Sequence, residues 1–122
     1  MASPPHVLVV EDNELVSGAL RVLLETLDTR VSTAATIAET LGVAEYDPPT
    51  LTLLDLTLPD GDGLAVVDAL RTAGCKTVVA LTGHDDDETR DRCFAAGCVE
   101  VLLKPVPARE LMARVSAWLV AG

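Results

Sequence analysis

Five short β-like runs alternate with five helical patterns along this chain, and that alternation restricts the fold more than any other feature. The strands read as His6 to Val10, Arg30 to Ala34, Thr50 to Leu54, Thr77 to Leu81 and Val99 to Leu103. The first, third and fourth are nearly continuous apolar runs, as expected of parallel strands buried on both faces. The second carries Ser32 and Thr33 and reads as an edge. Between the strands, Leu15, Ala19, Leu23 and Leu27 recur on one face of a first helix. Thr36 and Glu39 have the spacing of a capping box that opens a second. A third helix runs from Leu64 to Thr72 and stops at Gly74. A fourth, Asp87 to Ala96, starts with acids that suit the helix dipole and ends at Gly97. The fifth begins at Pro107 and repeats Leu111, Val115 and Leu119.

Such alternation predicts an α/β fold, a doubly wound parallel sheet with right-handed crossovers and helices on both faces. Ligands of these folds bind outside the carboxyl ends of the strands. Polar residues follow four of the strands there: Glu11-Asp12, Asp55, Thr82-Gly83 and Lys104-Pro105. Three carboxylates brought together repel one another unless a cation neutralises them, and hard oxygen ligands suit Mg²⁺, with Mn²⁺ the alternative. A lysine and a threonine opposite the metal would hold the remaining oxygens of a phosphoryl group. A carboxylate can then act as the nucleophile and become an aspartyl phosphate.

Charge and composition narrow the class. Nine Lys and Arg against nineteen Asp and Glu give 122 residues a net charge of −10, which disfavours direct contact with nucleic acid or anionic membranes. Apolar residues make up 49%, enough for a core that must be aliphatic, because Trp, Tyr and Phe occur once each. Cys75, Cys93 and Cys98 lack metal-ligand spacing and read as reduced core residues of a cytoplasmic protein. Residues 1–5 read as a flexible N-terminal segment without the character of a signal peptide. No linker or repeat interrupts the pattern, so residues 1–122 are expected to be one domain.

Four stretches carry a resemblance to a known family: Val7-Leu-Val-Val-Glu-Asp-Asn13, Leu53-Leu-Asp-Leu-Thr-Leu-Pro-Asp-Gly-Asp-Gly63, Ala80-Leu-Thr-Gly83 and Leu102-Leu-Lys-Pro105. The chain resembles the receiver domains of bacterial two-component response regulators over essentially its whole length. That resemblance implies a flavodoxin-like strand order of 2-1-3-4-5. It implies that Asp55 accepts a phosphoryl group from a sensor histidine kinase or a phosphotransfer protein. Glu11, Asp12, Asp55 and the backbone carbonyl of Thr57 would hold Mg²⁺, with Asp12 ranking ahead of Glu11 as a direct ligand. Thr82 and Lys104 would contact phosphoryl oxygens, the Lys104–Pro105 bond would be cis, and an output domain or target protein would read the signal. The donor is expected against the first helix and the loop after Lys104, near Leu15, Ser17, Gly18 and Pro105.

Two rival readings are weaker. A phosphatase with an aspartyl nucleophile usually carries it after the first strand and has a cap insertion, which this pattern lacks. A degenerate interaction module would not retain all five site groups. The chain does depart from the family at Val101, where receivers typically carry an aromatic that swings inward on phosphorylation, and at Val106, frequently Phe. A valine has no ring to rotate, so the expected conformational change falls on Gly83 to Asp91 and not on the fifth strand. Several residues have plainer expectations: Gly61 and Gly63 serve backbone geometry, and His84 is an exposed loop residue. Asp85-Asp86-Asp87-Glu88 caps the fourth helix, and Trp118 packs. Either Asp12 or Asn13 would cap the first helix.

Overall fold

A computed structural model describes residues 3–84 and 86–121; Met1 and Ala2 of the N-terminal segment, Asp85 of the acidic run, and Gly122 lie outside the described residues. In chain order the elements are β1 (His6–Val10), α1 (Glu14–Glu25), β2 (Arg30–Ala34), α2 (Ile37–Tyr46), β3 (Leu51–Asp55), β4 (Thr57–Leu58) and β5 (Gly61–Asp62). A 3₁₀ turn (Gly63–Val66) then leads into α3 (Val67–Thr72), β6 (Thr77–Thr82), α4 (Asp87–Ala96), β7 (Glu100–Leu103) and α5 (Ala108–Ala121). Five strands form one parallel sheet in the order β2-β1-β3-β6-β7, which is the 2-1-3-4-5 order expected of the core strands. The pair β4–β5 is a separate antiparallel hairpin that the sequence pattern did not reveal.

Strand periodicity divides the core into two layers. Leu8, Val10, Leu54, Val78 and Ala80 face one side and pack with Ala44 of α2, Val67 and Leu70 of α3, and Cys93 of α4. Val7, Val9, Leu51, Leu53 and Val79 face the other and pack with Leu24 of α1 and Leu111 and Val115 of α5. All three cysteines are free and buried, as expected of core residues. Burial pushes the Cys98 thiol up to about 12, and the nearby Cys93 adds to the rise.

Some boundaries shift. β3 runs one residue later than expected, so Asp55 is its last residue, bonded in register with Leu81. α5 starts at Ala108, with the Pro107 carbonyl accepting from the Leu111 N–H at 3.0 Å, so Pro107 caps the helix instead of opening it. The buried face of α1 differs as well: Leu15 is 86% exposed, and the inward residues are Ser17 and Leu24, with Leu20 and Leu27 partly buried. An i, i+4 row drifts around a helix by about 40° per step, so its ends cannot share a face.

The second helix has a more elaborate start than a capping box. The Thr36 hydroxyl accepts from the Glu39 N–H at 3.0 Å, and the Glu39 carboxylate accepts from the Ala35 N–H at 3.0 Å. Asp60, from the turn between β4 and β5, accepts from Ile37 N–H at 2.8 Å and Ala38 N–H at 3.2 Å. Those backbone donors hold the Asp60 carboxyl below its usual range. α4 ends as expected at Gly97, whose φ of +115° is a left-handed conformation favouring glycine.

Candidate phosphoacceptor site

The carboxyl ends of β1, β3, β6 and β7 converge on one cleft. It is lined by Glu11, Asp12, Asn13, Val16, Asp55, Thr57, Gly83, His84 and Lys104. Carboxylate oxygens of Glu11, Asp12 and Asp55 all lie within 4.8 Å of one another. Asp55 and Glu11 are buried, whereas Asp12 is exposed at the mouth. Asn13 caps α1, its side chain accepting from Leu15 N–H at 3.0 Å and Val16 N–H at 3.2 Å. Asp12 is thereby free of the capping role and open to the cleft.

Lys104 directly follows β7, and the Lys104–Pro105 bond after it is cis. Its ammonium stands 3.0 Å from Asp55 Oδ2 and 3.4 Å from Glu11 Oε1. The other Asp55 oxygen, Oδ1, accepts from the Thr57 N–H at 3.0 Å. Thr82 is buried beside this cluster, with its hydroxyl accepting from the His84 N–H at 3.1 Å and its carbonyl from the Lys104 N–H at 2.8 Å. The structure therefore brings Glu11, Asp12, Asp55, Thr57 and Lys104 to one cleft, while Thr82 is engaged with its own loop.

One ammonium faces three carboxylates, and both Glu11 and Lys104 are raised from their ordinary values. Burial foremost raises the Glu11 carboxyl above its ordinary value; the Asn13 N–H opposes the rise, and Asp55 and Asp12 reinforce it. For Lys104, burial acts to lower the pKa, but the hydrogen bond and charge of Asp55, then Glu11, outweigh it and leave the ammonium raised. A carboxyl raised on folding binds protons more readily in the native state. Its contribution is fully present below about pH 4.5 and is lost as pH rises through the elevated value. The difference in stability between metal-free wild type and Glu11→Gln should therefore shift against wild type as pH rises from about 4.5, measured by urea unfolding at a series of pH values. A pH-independent difference would contradict it.

Sequence reasoning missed the packing behind Asp55. Gly63 donates its N–H to Leu56 O at 2.9 Å, and a Cβ there would stand 2.5 Å from the Asp55 carbonyl oxygen. The expectation of a geometric role for Gly63 is met by this close approach. His84 is exposed and lines the cleft, while Trp118 packs against the α1–α5 layer under the Arg114 guanidinium. Ser17, expected at a docking surface, is instead buried in α1, its hydroxyl donating to Glu14 O at 3.3 Å.

A doubly wound sheet with an acid cluster and a lysine at its carboxyl edge defines the class of protein. The family model of the response regulator receiver domain matches residues 7–116, and the chain belongs to that family. It is 36% identical over 114 residues to the KDP operon transcriptional regulatory protein KdpE of Escherichia coli K12, covering 93% of this chain and 51% of that protein. The chain thus spans about half the length of the curated relatives it matches. A CheY-like receiver domain protein from Methanospirillum hungatei superposes with a TM-score of 0.89 at 27% identity, covering 98% of this chain and 96% of that one. The receiver domain of sensor histidine kinase PA1611 from Pseudomonas aeruginosa superposes at 0.82 and 27% identity, covering 96% and 98%, and coordinates a magnesium ion in its active-site cleft.

Proposed function

We propose that residues 1–122 act as one receiver domain that takes a phosphoryl group onto Asp55 from a phosphohistidine of a sensor histidine kinase or a phosphotransfer protein. The observation that carries this reading is the buried Asp55 carboxylate, paired with Lys104 and clustered with Glu11 and Asp12. In the transfer, an Asp55 oxygen attacks phosphorus in line as the phosphorus–nitrogen bond to histidine breaks. Lys104 holds one developing phosphoryl oxygen, and Thr82 holds another once its hydroxyl turns from its loop. Water reverses the modification by attacking the same phosphorus.

The donor set fits a hard divalent cation: three carboxylates within 4.8 Å, two of them buried, share a single ammonium. Glu11, Asp12, Asp55 and the backbone carbonyl of Thr57 would hold Mg²⁺, and Mn²⁺ would suit the same oxygens. When bound, the ion neutralises charge that otherwise repels an incoming phosphoryl group. The donor protein docks beside the cleft, where Leu15 is 86% exposed and Val16, Leu20, Val106 and Leu111 line an apolar groove. The setting is cytoplasmic; no helix among the described residues is long and apolar enough to cross a membrane. An output domain or target protein then reads a change centred on Gly83 to Asp91, because Val101 is buried in the core and offers no ring to move.

The test is the intact mass after incubation with acetyl phosphate and Mg²⁺. Wild type should gain one phosphoryl group and Asp55→Asn none. No gain in wild type, or an equal gain in the variant, would refute the assignment.

A further inference from the structure

With Val101 unable to report on Asp55, the signal needs another physical route to α4, and the β4–β5 hairpin offers one. It starts at the acceptor itself, where the Thr57 N–H donates to Asp55 Oδ1 at 3.0 Å. Thr57 is paired across the hairpin with Asp62. Asp62 carries two further loads: its Oδ1 accepts from the Leu64 N–H at 3.0 Å, and its Oδ2 accepts from the Arg92 guanidinium of α4. Every link is a direct bond or a strand pair, and the route crosses from acceptor to helix without touching β7.

The two ends of this route differ in stiffness. At the acceptor end, Gly63, the residue directly after the hairpin, lies so close to the Asp55 carbonyl that a Cβ would stand 2.5 Å from it, which seats the end of the hairpin against the acceptor backbone. At the far end, α4 is bedded lightly: among its ten residues Cys93 is the buried one. Arg92 ties it to the hairpin, while Arg90 sits 3.9 Å from Glu100 of β7 on the other side. A helix with so little buried surface lies at the low-stability end of the fold, where small biases change its population.

We infer that the hairpin relays the state of Asp55 to α4 through Thr57, Asp62 and Arg92, in place of an aromatic on the fifth core strand. The inference rests on Asp55 being the phosphoacceptor. A phosphoryl group on Asp55 turns a carboxylate oxygen into an ester oxygen, a weaker acceptor, so the Thr57 N–H re-aims toward the phosphoryl oxygens, shifts the hairpin, and releases Arg92 from Asp62. α4 then loosens at its first turns.

Hydrogen exchange of the full chain, with and without beryllofluoride and Mg²⁺, tests this, and the fluorine NMR signal of bound beryllofluoride verifies loading. In wild type, loading should speed exchange of amides 89–92, the first hydrogen-bonded ones of α4, by about 2- to 5-fold, the scale set by losing one exposed ion pair. Arg92→Gln, and Asp62→Asn, which keeps the oxygen facing Leu64, should exchange at the faster rate before loading and respond little afterwards. Arg71→Gln, which removes a contact of Arg71 with Gly97 O beyond the other end of α4, should keep the wild-type response. The route is overturned if Arg92→Gln and Asp62→Asn match wild type in both states. It is equally overturned if loading changes only β7 and α5. Absence of bound beryllofluoride would remove the phosphoacceptor reading itself, and the relay with it.

Discussion

Mg²⁺ should raise the melting temperature of the wild-type protein and leave that of Asp12→Asn nearly unmoved. The expectation follows from an uneven charge count: Glu11, Asp12 and Asp55 cluster within 4.8 Å, and Lys104 is the ammonium set against them. A ligand that binds only the native state stabilises it by RT ln(1 + [L]/Kd), about 2.7 kcal/mol at a hundredfold excess over Kd. Asp12 is the sharpest place to test the point. It is exposed, and the capping of α1 belongs to Asn13, so Asp12→Asn removes one of the proposed ligands without disturbing the helix start. Asp55→Asn should also blunt the response, although Lys104 keeps its neighbour Glu11. Differential scanning calorimetry across an Mg²⁺ series is the measurement. An equal rise in wild type and Asp12→Asn would show that any stabilisation comes from elsewhere on an acidic surface.

Much of this site was legible before the structure because its residues sit where strands end. A buried parallel strand is an apolar run, so the first polar residue after it marks the sheet's carboxyl edge, and Glu11, Asp55, Thr82 and Lys104 each announced one. The same rule also explains the offset in β3. Asp55 is polar and so was placed beyond the strand, yet it pairs with Leu81 as the strand's last residue.

Away from the strand ends, interactions between residues distant in sequence were not legible. Asp60 supplies the amides of α2 from 23 and 22 residues away, and Arg92 meets Asp62 across 30. No periodicity encodes such pairs, and hairpin strands of two residues give too short a pattern to detect. The face of α1 was misjudged for a related reason: Leu15 looks like core by spacing, but its end of the helix borders the cleft and projects into solvent. What an apolar residue faces is set by the neighbouring elements, and a single helix pattern does not contain them.

Gly63→Ala should lower the free energy of unfolding by about 1–3 kcal/mol, the usual cost of forcing extra atoms into a packed site. The added Cβ would meet the Asp55 carbonyl oxygen at 2.5 Å and the Leu56 Cα at 3.0 Å. Both are backbone atoms at the end of the central strand, so neither can swing aside as a flexible side chain would. Relief must come from moving the hairpin away from Asp55, which would also stretch the bond from Thr57 N–H to Asp55 Oδ1. Phosphoryl uptake should therefore slow along with the loss of stability. Gly42→Ala supplies the contrast, because nothing lies within 4 Å of a Cβ built at Gly42, inside α2. There the substitution should stabilise by about 0.4–1 kcal/mol through a less flexible unfolded chain. Urea unfolding of the two variants separates the cases: a Gly63→Ala protein as stable as wild type would mean that the hairpin is not seated firmly against Asp55. A relay from the acceptor to α4 would then have lost its first rigid joint.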